Sequence, residues 1–355
     1  MKKLNLAIIG QGRSGRNIHG AFLRSDMNTL FNVAAVAELD PERRAHAETE
    51  YPGCKTFADY RDLFGLNPDL IVNAAYSDQH YAVTKTCLEA GKNVLVEKPF
   101  ARNYYECQDL INTARAHNAT LAVFQQSLYA PYYAEVKKVI DSGILGKITQ
   151  INLRNNGFSR RWDWQTLQMK MGGSVYNTGP HPIGAALNFL DWDDDFRVEF
   201  SRIGRALTSG DAEDTAKIIL SAPRKPVIDI EINSNDAFCG YTVKVMGTKG
   251  TLLGTGSGYK IKYLVDGENP GRPVIFGSLK DADGLPIYCG EKLVTHDDEK
   301  SYVGGAFDTA VHAFYSMLYN TLTSGAELEI KPEQIAKVIR VIETVHAENP
   351  MEKVY

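Results

Sequence analysis

Cysteine is scarce and scattered. The five residues Cys54, Cys87, Cys107, Cys239 and Cys289 are odd in number, and no two have the spacing of a metal-ligand pair. The pattern fits reduced, buried thiols in a cytoplasmic protein and gives no reason to expect a metal. No apolar run approaches the roughly 18 to 20 residues of a membrane span. Met1-Lys2-Lys3 leads straight into a strand-like run, where a signal peptide would need an apolar stretch and a small-residue cleavage site. A net charge of −4 leaves no basic excess to hold nucleic acid or an anionic membrane. Repeats and low-complexity segments are missing too. What remains is ordinary globular composition, 44% apolar and 23% charged, in 355 residues. That length suggests two domains, or one large one, with ample core.

The first chemical signal comes early. Leu4 to Ile9 is an apolar strand, Gly10-Gln11-Gly12-Arg13-Ser14-Gly15 follows, and a helical pattern continues through Ile18, Ala21, Phe22 and Leu23. In G-x-G-x-x-G between a strand and a helix, Gly10 permits the tight turn and Gly12 lets a pyrophosphate approach. Gly15 allows close helix packing. The helix start then offers free N–H groups to phosphate. A second strand, Asn32 to Ala37, ends at Glu38. An acid there accepts hydrogen bonds from ribose hydroxyls and repels a 2′-phosphate, favouring NAD over NADP. Arg43 and Arg44 stand close by and could instead hold that phosphate. Strand and helix then alternate: helix Pro41 to Glu50, strand Leu70 to Ala75, helix Tyr81 to Ala90, strand Asn93 to Val96, helix Tyr104 to His117, strand Thr120 to Phe124. Such alternation predicts a doubly wound parallel sheet whose ligands bind at the C-terminal strand ends. Ala75, Tyr76, Ser77 and His80 follow one such end, and Glu97-Lys98-Pro99 follows another.

From Ile148 the periodicity changes to strands with few helices between them, as in a large, mostly antiparallel open sheet. A helix over His181 to Leu190 interrupts it, and two more, Ala306 to Leu322 and Pro332 to Glu348, close the chain. The fold class is therefore α/β: a Rossmann-type domain over residues 1–125 and an α+β domain over 126–355. Three clusters in the second part could carry chemistry. Gly172-Gly173 opens a turn that leads to Asn177 and His181, four apart and so on one helical face. Arg160-Arg161-Trp162-Asp163-Trp164 interleaves aromatic rings with charges, a pattern that suits sugar rings and their hydroxyls. His312 reads as a helix-face or core histidine.

The chain resembles the Gfo/Idh/MocA family, the glucose-fructose oxidoreductase and inositol dehydrogenase group. The resemblance spans nearly the whole length and rests on Gly10-x-Gly12-x-x-Gly15, "CLEAGKNVLVEKPF", "VIDSGILGKI" and "GGSVYNTGPHPIG". It implies an NAD-dependent dehydrogenase or reductase acting on a secondary alcohol of a sugar, glycoside or polyol. The open antiparallel sheet, with one uncovered face, suggests a homodimer or homotetramer paired through it. Lys98 matches the lysine of the reaction centre, and Pro99 a proline often preceded by a cis peptide. Glu97 matches a residue near the nicotinamide ribose, and His181 the acid or base at the substrate hydroxyl. Asn177, Trp162, Trp164, Arg161 and Asp163 are the expected substrate contacts. Two departures stand out. Asn177 and Gly184 replace residues that are Asp in many members, and Gln126-Ser127 replaces a common Asn-Arg. Asn177 cannot exchange a proton, so any relay rests on His181, Lys98 or both. The alternatives are an NAD-dependent glycosidase working by transient oxidation, and a catalytically silent dinucleotide-responsive regulator.

Overall fold

The computed structural model describes residues 2–304 and 306–355. Six strands, β1 (Leu4–Ile9), β2 (Phe31–Ala37), β3 (Lys55–Phe57), β4 (Leu70–Asn73), β5 (Val94–Val96) and β6 (Leu121–Val123), form a parallel sheet in the order β3-β2-β1-β4-β5-β6. Leu6, Ala7, Ile8, Ile71, Val72 and Leu95 have no exposed surface, as strands covered on both faces require. The strand order reverses between β1 and β4, which opens a crevice at their C-terminal ends. The crossover helices start on chemical marks. Asp40 accepts the N–H groups of Glu42 and Arg43 with Pro41 at the first turn, and Asn103 accepts that of Glu106 at 2.9 Å. The expected regular helix after Gly15 is instead a wide π-type turn, Arg13–His19, running into a short helix, Gly20–Leu23.

The second sheet contains β7 (Ile148–Arg154), β8 (Arg197–Gly204), β9 (Thr215–Ser221), β10 (Val227–Asn233), β11 (Val243–Gly247), β12 (Gly250–Gly254), β13 (Gly258–Tyr263) and β16 (His296–Ser301). The small hairpin β14 (Leu279–Lys280) and β15 (Pro286–Ile287) stands apart. The order β16-β13-β12-β11-β7-β10-β9-β8 is antiparallel throughout except for the parallel pair β7–β10. Alternation sets the buried face: Ala216, Ile218 and Leu220 on β9 and Ile228, Ile230 and Ile232 on β10 point inward. The edge strand β16, HDDEKS, shows no such alternation, and its polarity suits an edge. A helix that the sequence did not signal, Pro131–Asp141, begins at Pro131.

Two C-terminal helices hold the sheets together. Pro332–Glu348 buries Ile335, Ile339, Ile342 and Val345 along one face. It packs on helices Tyr104–Ala116 and Pro180–Phe189 and on β8. From helix Ala306–Ser324, Tyr315 stacks on Phe22 with ring centroids 4.7 Å apart, and Phe314 meets Phe124 edge-on at 5.1 Å. Between β13 and β16 the chain makes an excursion that exposes Val274, Phe276, Leu285 and Tyr288. Among the described residues no helix is long and apolar enough to cross a membrane.

Candidate active site

The glycine turn fits a dinucleotide. A Cβ on Gly15 would collide with the Gly10 carbonyl, whereas one on Gly12 would meet nothing within 4 Å, so that side of the turn is open. Glu38, at the end of β2, accepts the Gln11 N–H at 2.7 Å and the Asp40 N–H at 3.1 Å. Arg43 lies 3.8 Å from Glu38, and Arg44 donates to the Glu38 and Leu39 carbonyls. Both arginines are thus occupied by the loop itself. Gln11 Nε2 is buried without a protein partner.

β5 delivers Glu97 and Lys98 to the crevice. Glu97 is 2% exposed, and its Oε2 accepts the Lys98 N–H at 3.0 Å. Its Oε1 lies 3.1 Å from His19 Nε2, off the line of a good hydrogen bond. His19 Nδ1 in turn meets the Tyr315 hydroxyl at 2.7 Å. Burial pushes the Glu97 carboxyl up, but the neighbouring His19, Lys98 and His80 outweigh it and hold it below the ordinary glutamate value. Burial pulls Lys98 below the ordinary lysine value; the charge of Glu97 opposes this, and Arg13 and Arg161 add to it. The Lys98–Pro99 peptide is cis. Lys98 Nζ donates to the Asn177 carbonyl at 2.6 Å, joining the two halves of the site.

Asn177 and His181 do come together, though not on one helical face. Asn177 ends a single helical turn, Ser174–Asn177, and His181 belongs to the next helix, Pro180–Phe189. Pro180 has no N–H to continue the first turn, so the helix restarts at it. His181 Nδ1 lies 2.9 Å from Ser127 Oγ. Burial and the Lys98 charge pull the imidazole down to about 3, with Glu97 opposing, so it is neutral near pH 7. Asn177 Oδ1 accepts from Gln165 Nε2 at 3.1 Å, while Gln165 Oε1 accepts from Arg161, which also pairs with Asp163 at 2.7 Å.

The remaining expected residues divide. A cavity of about 370 Å³ is lined by Arg13, Ser14, Glu97, Lys98, Gln126, Ser127, Gln165, Asn177 and His181, with Ile18, Ala130, Tyr132, Thr178, Phe307 and Ala310. A second, of about 250 Å³, shares Gln165, Asn177 and Thr178. It extends over Asn155, Asn156, Arg161, Thr208 and Asn233. Trp162 lines neither cavity and is 75% exposed. Trp164 instead meets Tyr76 edge-on at 4.9 Å, and Lys170 pairs with Asp78 at 3.0 Å, so this segment clasps the end of β4. Ala75 and Ser77 are half-buried in that loop. Buried His80 contacts the Pro99 carbonyl at 2.7 Å and the Ala75 carbonyl at 3.2 Å, so both ring nitrogens face backbone. His312 packs edge-on to Phe22 at 6.2 Å and lines neither cavity.

Residues 4–125 match the model described as the oxidoreductase family with an NAD-binding Rossmann fold, and residues 133–253 match the GFO/IDH/MocA C-terminal domain. The chain belongs to this family. It is 27% identical over 363 residues to an uncharacterised oxidoreductase of Schizosaccharomyces pombe, covering 98% of this chain and 96% of that one. It is 22% identical to the scyllo-inositol 2-dehydrogenase (NADP(+)) of Bacillus subtilis, covering 96% and 92%. Inositol 2-dehydrogenase 2 of Saccharopolyspora erythraea is 28% identical over 70% of this chain and 72% of its own. A solved NAD-binding protein from Listeria innocua shares the fold with a TM-score of 0.79 at 20% identity, covering 98% of each chain.

Glu213 and His346 escaped the sequence reading. Glu213 is 2% exposed; its Oε1 accepts the Val175 N–H at 2.9 Å and its carbonyl the Ser174 N–H at 2.8 Å. It thereby anchors the turn that carries Asn177. Its Oε2 lies 3.4 Å from His346 Nε2, and Tyr176 stacks on the His346 ring at 4.8 Å. Only a carboxylate shortly before β9 and a histidine near the end of the last helix could have signalled the pair, and both read as surface charges. Burial pulls His346 down, but Glu213 outweighs it and holds the imidazole above its ordinary value of 6.5. A raised folded pKa adds stability that is complete below about pH 6.5 and lost as pH rises through the folded value. Denaturation midpoints measured from about pH 6 to about pH 9 should therefore fall more steeply for the wild type than for His346→Gln. Parallel curves would contradict the pairing.

Proposed function

We propose that the chain is an NAD-dependent dehydrogenase, or reductase, acting on a secondary alcohol of a neutral sugar, glycoside or polyol. The observation that carries the reading is the convergence of Lys98, His181 and Asn177 on one cavity at the C-terminal end of the dinucleotide-type sheet. The dinucleotide, when bound, supplies the hydride acceptor. The Gly10–Gly15 turn, with Arg13 and Ser14, would hold its pyrophosphate, and Glu38 its adenosine ribose. Ala75, Tyr76 and Ser77 would border it. Lys98 and His181 meet the reacting oxygen, and Asn177 orients the substrate without moving a proton. Glu97 and His80 place Lys98 from below.

The lining supports a hydroxyl-rich, uncharged substrate. Asn155, Asn156, Gln165, Thr208 and Asn233 offer amides and hydroxyls, while Glu213 and Asp214, which line the same cavity, are taken up by main-chain N–H groups. Arg161 is already paired with Asp163 and Gln165, so it is not free to clamp a carboxylate or phosphate. Relatives named as inositol dehydrogenases agree with this class. The occupied Arg43 and Arg44 favour NAD over NADP. A homodimer or homotetramer would cover the open sheet face and the apolar side chains exposed between β13 and β16; the free cysteines, of which Cys239 and Cys289 are exposed rather than buried as the sequence suggested, fit a cytoplasmic setting.

A panel of free sugars, glycosides and inositols should contain compounds that reduce NAD in the presence of the protein. Turnover that yields no net reduced cofactor would favour the glycosidase reading. Lys98→Ala should lose about 10²- to 10⁴-fold in kcat while still binding NAD. Near-normal turnover in that variant would overturn the site. Glu38→Ala should weaken NAD binding and raise relative use of NADP, and an unchanged preference would refute the role of Glu38.

A further inference from the structure

The convergence of Lys98 and His181 leaves open which of them exchanges the proton. The hydrogen bonds behind His181 decide it. Ser127 is 3% exposed and Gln125 is fully buried. Gln125 Nε2 donates to the Pro180 carbonyl at 2.6 Å and to Ser127 Oγ at 3.3 Å. A carboxamide NH₂ only donates, so Ser127 receives that bond and must still place its own proton. Among the described residues, the one other side-chain partner within hydrogen-bond distance of Ser127 Oγ is His181 Nδ1, 2.9 Å away. Were Nδ1 protonated, two donors would point at Ser127 Oγ and its buried hydroxyl proton would lack an acceptor, an arrangement that folded proteins avoid. The satisfied chain runs Gln125 N–H to Ser127 O–H to His181 Nδ1, which puts the imidazole proton on Nε2.

Two neighbouring positions agree. A Cβ on Gly184 would lie 2.9 Å from Gln125 Nε2, so glycine leaves the room that this amide occupies beside the helix. The Asn177 carboxamide faces Gln165 and takes no part behind the imidazole. Nε2 has no protein partner among the described residues, and His181 borders the cavity that Lys98 also lines. The atom open to the cavity therefore already carries a proton.

Resting on the dehydrogenase reading, we infer that Lys98 is the group that exchanges the proton of the reacting hydroxyl. Ser127 and Gln125 are positioning residues that hold His181 as a neutral Nε2–H hydrogen-bond donor to the same oxygen. In the oxidation direction the substrate O–H bond breaks and its proton joins the neutral amine of Lys98. The carbinol C–H breaks with its electron pair leaving as hydride for the oxidised nicotinamide dinucleotide, and a C=O bond forms. His181 cannot take that proton at Nε2, and releasing its own would create an imidazolate. The depressed pKa values of both groups fit these roles: His181 stays neutral, and Lys98 reaches its amine form more readily than an exposed lysine.

The test reads the tautomer first. Full-length protein labelled with ¹⁵N-histidine, saturated with NAD at neutral pH, is examined by long-range ¹H–¹⁵N correlation, with His181 assigned by its loss in His181→Gln. The expected result is a protonated Nε2 and an unprotonated Nδ1. Ser127→Ala should abolish the preference and Ser127→Thr restore it. A protonated Nδ1, or an imidazolium, in the wild type overturns the proposal. This arm needs no substrate, so it stands or falls separately from the dehydrogenase reading. With any polyol that reduces NAD, His181→Ala should lose about 10²-fold, the size of a lost oxyanion donor. His181→Gln, which keeps a donor, should recover most of that loss. Ethylamine should partly restore Lys98→Ala, whereas imidazole should not restore His181→Ala. Rescue by imidazole, or a His181→Gln variant as impaired as Lys98→Ala, would overturn the assignment.

Discussion

Everything at this site hangs on one hydrogen bond, from the Lys98 ammonium to the main-chain carbonyl of Asn177. It joins the end of β5 to the turn before helix Pro180–Phe189. A buried cation is costly unless paired, and here the nearby charge of Glu97 favours it without a direct ion pair. Glu97 is itself buried and is flanked by His19, whose other nitrogen meets Tyr315. The polar core thus runs from the cavity that Lys98 and His181 line, through the dinucleotide-type sheet, into helix Ala306–Ser324. Glu213 and His346 do the corresponding work from the other side, anchoring the Ser174–Asn177 turn to the last helix. Both supports rest on C-terminal helices, and the last of these touches both sheets, so distant parts of the chain set the geometry of the cleft.

Much of this was legible in the sequence because it is local. The glycine turn, the apolar parallel strands, the alternation in β9 and β10 and the two closing helices each follow from a few neighbouring residues. So does the placement of Lys98, which follows from a strand end. The position of His181 was legible, but its helix was not. Spacing of four suggested one face shared with Asn177, while Pro180 and Pro182 were the visible warning that the helix restarts. The supporting pairs were out of reach for a different reason. His19 with Glu97, Ser127 with His181 and Glu213 with His346 each join segments far apart in the chain, and no periodicity marks them. β16 was missed because an edge strand has no buried face to impose alternation.

Three positions around His181 form one consistent set. Asn177 turns its carboxamide to Gln165. Gly184 vacates space that the Gln125 amide occupies. Ser127 passes the bond from Gln125 to His181. His181 thus has a neutral partner, the Ser127 hydroxyl, with the Gln125 amide behind it. Charge in the cavity that His181 borders comes from Lys98, Glu97 and Arg13.

The most direct measurement uses a polyol that reduces NAD, carrying deuterium on its carbinol carbons. The recovered cofactor is analysed by mass spectrometry and the initial rates are compared with those of the unlabelled compound. The account predicts one deuterium in each reduced NAD and a primary isotope effect on kcat/KM that persists in His181→Gln. Reduced cofactor without deuterium, or label released to solvent with no net reduction of NAD, would contradict direct hydride transfer at this site.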